Sequence, residues 1–242
     1  MPTPPINPPP PPLLQSPARL LISAGPTHEP IDAVRYIGNR SSGRLGIALA
    51  DHAAANGWTV TLLLGPTGLT PADSRIRLHR FRTTSELQRL LEAEFGSHDV
   101  LVMAAAVADY RPRATPEALG GKLRRGGRSL TLELDPTPDL LAGVAAGKRP
   151  HQLVVGFALE PPDQLMESAM QKLNRKGLDM IVANPLETME SDMIEATILR
   201  ADGTRTQTTG KVGKADFAVS LLQEIRVALA ARVGSIRAGM ES

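Results

Sequence analysis

The chain has 242 residues, enough for one sizeable α/β domain with a well-buried core. Its 27 Lys plus Arg against 25 Asp plus Glu, with one Trp, two Tyr and four Phe, supply neither the basic excess nor the stacking platforms that nucleic acid or a membrane surface would call for. With no cysteine there can be no disulfide, thiolate metal site or thiol nucleophile, which fits a cytoplasmic protein, and the longest apolar run, Val100 to Ala108, is far too short to span a bilayer.

Nine of the 21 prolines fall in the first 17 residues. Proline can neither donate to a ladder nor continue a helix, so residues 1–18 are expected to be a disordered, polyproline-like arm preceding a single domain over 19–242. The arm lacks the basic start and apolar run of a signal peptide, and a solvated tail is preferred here over a partner ligand.

Leu20 to Ile22 is a short apolar run and reads as a buried strand. A long polar loop follows, and Asn39, Ser41, Ser42 and Gly43 then look like the start of a helix running to Asn56 and ending at Gly57. Unpaired amides at such a terminus suit a phosphate or carboxylate, although Ser-Ser-Gly by itself is more often a plain helix cap. Trp58 to Leu64 is a second strand, Ser85 to Phe95 an amphipathic helix, and Asp99 to Met103 a third strand. The alternation means an α/β fold: a Rossmann-like, mostly parallel sheet with helices on both faces and ligands beyond the carboxyl ends of its strands.

From Ala104 the pattern breaks into a glycine-rich, charged flap around Lys122, followed by an alternating segment, Ser129 to Leu134, that reads as a half-exposed strand. A helix opens after Asp135 to Asp139. The spacing then predicts a strand at Leu153 to Phe157, a helix over about 162–176, a strand at Asp179 to Ala183, a hairpin formed by Ala196 to Arg200 and Thr204 to Gln207, and a closing helix over about 214–233.

The layout also suits a dinucleotide-binding oxidoreductase, but the opening loop has no Gly-x-Gly-x-x-Gly, and Gly65-Pro66-Thr67 stands where an acidic ribose ligand belongs. Tyr110 has no lysine four residues on. The five histidines are scattered and there is no Gly-x-Ser-x-Gly, so zinc hydrolysis and acyl-serine chemistry lack support. An anion-handling site built on loops remains. Asp109 beyond the third strand, Lys122 in its flap, and Lys172 with Lys176 one helical turn apart are its candidates, each of which could instead be a turn cap or a solvated charge.

Gly25-Pro-Thr-His-Glu-Pro-Ile-Asp-Ala-Val-Arg-Tyr-Ile-Gly-Asn-Arg-Ser-Ser-Gly43, Ala104-Ala-Ala-Val-Ala-Asp-Tyr-Arg111, the Lys122 flap and Val155-Gly-Phe-Ala158 occur in an order that closely resembles phosphopantothenoylcysteine synthetase, from about Leu20 to Val233. The resemblance implies a ligase that joins 4′-phosphopantothenate to L-cysteine in coenzyme A biosynthesis. Bacterial members of this type use CTP with Mg2+ or Mn2+ through an acyl-cytidylate, and the choice of CTP over ATP comes from the resemblance alone.

Carried over by motif, Asn39 and Lys122 are the catalytic residues. Asn39, Arg40, Ser41, Ser42, Gly43, Ala105 and Ala106 are expected to hold phosphopantothenate. Met103, Ala104, Ala105, Asp109, Lys122, Asp135, Pro136, Thr137, Pro138, Phe157, Lys172 and Lys176 are expected to hold the nucleotide; metal ligands are not assigned. Arg124 and Arg125 replace two lysines common after the flap lysine, and His28 and Gly38 replace residues that are often Arg and Ser. The resemblance also implies a homodimer, with the irregular central segment and the Ser129 to Leu134 strand joining the partner's sheet, and a decarboxylase that is fused or separate. A binding module without turnover is the competing reading from another class.

Overall fold

Eight strands form one twisted sheet, in the order β13-β12-β10-β9-β6-β1-β4-β5, and the six from β10 to β5 run parallel. The computed structural model describes residues 17–113, 121–124, 126–127, 129–189 and 191–240. The strands are β1 (Arg19–Ala24), β4 (Thr59–Leu64), β5 (Arg77–Arg80), β6 (Val100–Met103), β9 (Leu153–Glu160) and β10 (Met180–Pro185), with antiparallel β12 (Thr197–Arg200) and β13 (Arg205–Gln207) at one edge. Among the described residues three small ribbons lie outside this sheet: β2 (His28–Pro30) with β3 (Tyr36–Gly38), β7 (Tyr110–Pro112) with β8 (Leu134–Pro136), and β11 (Met193–Ile194) with β14 (Val212–Gly213).

The central strands are apolar on both sides because both sides are covered. Leu20, Ile22, Leu62, Val102 and Val155 pack with helices α1 (Arg44–Ala55) and α5 (Lys214–Met240), through Leu49, Ala53, Phe217, Leu221 and Ile225. Leu21, Leu63, Leu101 and Val154 pack on the other face with α2 (Thr84–Glu94), α3 (Leu140–Ala146) and α4 (Leu165–Arg175), through Leu87, Leu91, Leu141 and Leu173. The Rossmann-like sheet read from the sequence is therefore the fold. Among the described residues no helix is long and apolar enough to cross a membrane.

Two parts of the sequence reading meet the structure differently. The strand expected over Ser129 to Leu134 is displaced: β8 begins at Leu134, and residues 129–133 have no ladder partner among the described residues. Among the described residues their alternation finds nothing to bury against, and Leu130, Leu132 and Leu134 are exposed. The edge strand β5, Arg-Leu-His-Arg, was not anticipated, because its exposed, charged residues carry no apolar run. The proline-rich arm up to residue 16, and Arg125 in the flap, lie outside the described residues.

Candidate functional site

Neighbours β1 and β6 lead into crossovers that travel in opposite directions, so a crevice opens beyond their carboxyl ends. Both following loops lie there and are bonded to each other. Ala106 N–H donates to Gly25 O at 2.9 Å and Thr27 N–H to Ala106 O at 3.1 Å. The Asn39 side-chain amide also donates to Ala106 O, at 2.9 Å, which occupies both lone pairs of that carbonyl. Ala108 N–H donates to Thr27 Oγ1 at 2.9 Å, and Thr137 Oγ1 donates to Ala108 O, which ties the segment after β8 to the same cluster.

Helix α1 enters from below. Gly43 precedes it at φ 76°, a left-handed conformation suited to glycine, and has no side chain with which to cap the first-turn amides. By contrast, Thr83 caps α2 and Asp139 caps α3. Gly46 lets α1 press against β1, since a Cβ there would lie 2.4 Å from Ala24 Cβ. The result is a helix N-terminus at which Ser42 Oγ accepts the Arg44 amide only at 3.5 Å and the Leu45 and Gly46 amides have no acceptor among the described residues. Its positive dipole end lies at a cleft of about 490 Å³, within the usual ~300–1,000 Å³ of small-molecule sites.

Lys172 and Lys176, at the carboxyl end of α4, contribute another wall of this cleft. Lys172 Nζ donates to Phe157 O at 2.6 Å, and Lys176 Nζ pairs with Asp139 at 2.6 Å. Burial pushes the Lys172 ammonium below the ordinary lysine range and Lys176 adds to this, while Asp139, Glu160 and Asp109 pull the other way. Burial opposes ionisation of Asp139, but its bonds with Lys176 and the Ala142 amide outweigh burial and hold the carboxyl below its ordinary range. Two lysines with one tight carboxylate partner leave surplus positive charge for an anion.

Asn39, Ser41, Ser42, Gly43, Met103, Ala104, Ala105, Ala106, Asp109, Thr137, Pro138, Phe157, Lys172 and Lys176 all line this cleft. Arg40, Lys122, Asp135 and Pro136 do not line it; the Asp135 carboxylate is engaged by Arg113 at 2.6 Å. The amides of Ala104, Ala105 and Ala106 are already used, by Ser23 O, Ser23 Oγ and Gly25 O, so that loop presents carbonyls and methyl groups rather than donors.

The sequence reading missed Arg44, Asn184 and Lys214, which also line the cleft. Lys214 is 9% exposed and donates to Thr188 O and Met189 O, and Arg44 pairs with Asp192. Burial, then Arg44, lowers the Lys214 pKa, and Asp192 opposes this. A lysine opening a long helix gives no sign in sequence that it is buried. The substitutions at His28 and Gly38 turn out to be one feature. The two residues face each other across the β2–β3 ribbon, and a Cβ at 38 would come within 2.8 Å of the imidazole, which stacks on Tyr36 with ring centroids 3.7 Å apart.

Residues 16–229, which include every residue of the cleft wall, match the model of the DFP family, described as the DNA/pantothenate metabolism flavoprotein C-terminal domain. The chain belongs to this family. DFP relatives include a protein from an unknown prokaryotic organism named cysteine/cysteine sulfinic acid decarboxylase, 47% identical over 169 residues, which make up 70% of this chain and 46% of that protein. The coenzyme A biosynthesis bifunctional protein CoaBC of Escherichia coli K12 is 39% identical over 188 residues, 76% of this chain and 46% of that protein. The crystal structure of the C-terminal domain of a coenzyme A biosynthesis bifunctional protein CoaBC superposes with a TM-score of 0.75 at 32% identity, covering 88% of this chain and 96% of that one. The chain thus spans a little under half the length of these two curated relatives and nearly all of the solved DFP domain.

Proposed function

We propose that the chain is a phosphopantothenate–cysteine ligase of coenzyme A biosynthesis. In this reading it condenses 4′-phosphopantothenate with L-cysteine at the expense of CTP. The observation that carries the proposal is the uncapped N-terminus of α1 sharing one cleft with Lys172 and Lys176, beside a loop pair that holds Asn39. Its relatives among the coenzyme A biosynthesis bifunctional proteins suggest the pathway.

In the first half-reaction a carboxylate oxygen of phosphopantothenate attacks the α-phosphorus of CTP. The bond from that phosphorus to the bridging oxygen breaks, and pyrophosphate leaves. The α1 amides, Lys172 and Lys176 balance the charge on the phosphoryl oxygens, and Lys122, which stands outside the cleft wall, is the flap cation assigned to join them once substrate is bound. In the second, the cysteine amine attacks the carbonyl carbon of the acyl-cytidylate and CMP departs. Asn39, fixed to Ala106 O, holds the acyl group for that attack. Asp109 and the carbonyls between Met103 and Ala106 take the nucleotide's ribose and base, with Thr137, Pro138 and Phe157 closing its other side.

A divalent cation, Mg2+ or Mn2+, would supply further charge to the triphosphate. No group of three His, Asp or Glu that could hold a metal ion occurs among the described residues, and Asp139 is committed to Lys176. The cation would therefore rest on the substrate phosphates with one carboxylate of the cleft wall, Asp109, since Mg2+ ordinarily needs only one or two. The exposed Tyr36, Tyr110, Leu130 and Leu134 are the surface on which a homodimer would form in this reading. A fused or separate decarboxylase would then supply the next step.

The test is pyrophosphate release with Mg2+ and either CTP or ATP, with and without phosphopantothenate, before cysteine is added. Release with CTP that requires phosphopantothenate is expected. Release only with ATP overturns the base assignment. No release from folded protein that still binds nucleotide overturns the ligase in favour of a binding module.

A further inference from the structure

The turn between β2 and β3 has a structural job that the proposed chemistry does not use. Asp32 is buried, and its two carboxylate oxygens have separate duties. Oδ1 accepts the amides of Val34 and Arg35, both at 2.8 Å, and shapes the turn. Oδ2 accepts Arg35 Nε at 3.0 Å and also the amide of Leu123 at 3.0 Å, a residue 91 positions away in the flap. Two further bonds join the same partners: Ala33 N–H donates to Gly121 O at 3.2 Å, and the Arg35 guanidinium donates to Leu123 O at 3.0 Å.

These three contacts bracket Lys122 from both sides, at Gly121 and at Leu123. The turn that makes them runs through β3 directly into Asn39. We propose that Asp32 is a positioning residue that registers Lys122 against the Asn39 loop by holding the Leu123 amide. One buried carboxylate thereby sets the relative place of the groups assigned to the two half-reactions. The inference rests on the ligase reading only for the role of Lys122; the latch itself is a matter of geometry.

The informative variant is Asp32→Asn. Asparagine keeps one acceptor oxygen, so it can shape the turn or hold the flap but not both. The remaining oxygen is expected to stay with the two local amides of Val34 and Arg35, so the variant folds with the Leu123 amide unheld, leaving the flap only its Ala33–Gly121 and Arg35–Leu123 bonds. Three measurements on the full chain follow. Tryptic cleavage after Lys122, measured well below the unfolding transition, is expected to accelerate roughly tenfold, the scale of losing one hydrogen bond to a charged acceptor, while the thermal midpoint falls because the Arg35 guanidinium loses its buried counter-ion. Pyrophosphate release is expected to slow by a similar factor, while conversion of preloaded acyl-nucleotide by cysteine keeps its parent rate. Lys122→Gln is expected to slow pyrophosphate release, and adding Asp32→Asn to it is expected to cost nothing more, because both act through one group.

If Lys122→Gln leaves pyrophosphate release intact, the role given to Lys122 fails, and the cleavage rate still decides the latch. Unchanged cleavage in Asp32→Asn overturns the latch. Additive losses in the double variant, or equal loss of both half-reactions in Asp32→Asn, overturn its action through Lys122.

Discussion

Gly46→Ala separates helix propensity from helix placement. On propensity the change stabilises, by up to about 1 kcal/mol. On packing it does the opposite, because the new Cβ would lie 2.4 Å from Ala24 Cβ, where carbon atoms ordinarily rest about 3.5–4.0 Å apart. The first turn of α1 must back away from β1 by roughly 1 Å, and overpacking of this kind costs about 1–3 kcal/mol. With the full propensity gain the balance is a net loss of up to about 2 kcal/mol, or up to about 8 °C in thermal midpoint for a chain of this size. A shift of ~1 Å also takes a phosphate oxygen out of hydrogen-bond range of the first-turn amides, so pyrophosphate affinity is expected to fall at least roughly tenfold. Thermal unfolding and calorimetric titration with pyrophosphate and CTP read the two effects. Gly234→Ala is the matched control: it is also in a helix, with nothing within 4 Å of the added Cβ, and is expected to gain stability. A Gly46→Ala protein as stable as its parent, with unaltered pyrophosphate binding, would refute the assignment of the α1 terminus as the anion seat.

Asn39→Asp puts a carboxylate oxygen where an amide now donates to Ala106 O. Pyrophosphate release is expected to persist while acyl-nucleotide accumulates, visible by rapid-quench chromatography; equal loss of both half-reactions would defeat the division of labour. Lys172→Met removes an ammonium whose pKa burial lowers from the ordinary 10.5, and so is expected to raise the thermal midpoint at neutral pH while weakening nucleotide binding. The sign follows from linkage. Between the lowered folded pKa and 10.5 the unfolded chain binds more protons, so parent stability rises with pH there, and the advantage of methionine shrinks towards pH 10.5. A variant destabilised at neutral pH with nucleotide affinity intact would count against both parts.

Buried parallel strands were legible because burial on both faces leaves an apolar run, as in Thr-Leu-Leu-Leu of β4 or Val-Leu-Val-Met of β6. What could not be read was structure whose side chains do not report its environment. Strand β5 is exposed and charged, and the β2–β3 ribbon is three residues a side with a His and a Pro in it. The site divides in the same way. Asp109, Lys172 and Lys176 could be named as candidates from position beyond a strand or from helical spacing, but only the family resemblance set them above a turn cap or a solvated charge. Lys214 is hidden because burial of a lysine depends on carbonyls brought from Thr188 and Met189, and Asp32 because its partner is a main-chain amide 91 residues on. Main-chain partners leave no trace in residue type, and the contacts that organise this cleft are mostly of that kind.

The doubly used carbonyl of Ala106 has a consequence for anyone who would re-engineer the cleft. Its partners, Thr27 and Asn39, lie on the loop after β1, and Ala106 itself on the loop after β6. The first of these loops folds locally through its β2–β3 ribbon, but where it meets the second each is held by the other. A graft that imports one without the other leaves a main-chain acceptor facing strangers. Asn39 and Ala106 are 67 positions apart in the chain, yet the two segments make one structural part, and a change in one is expected to couple energetically to the other.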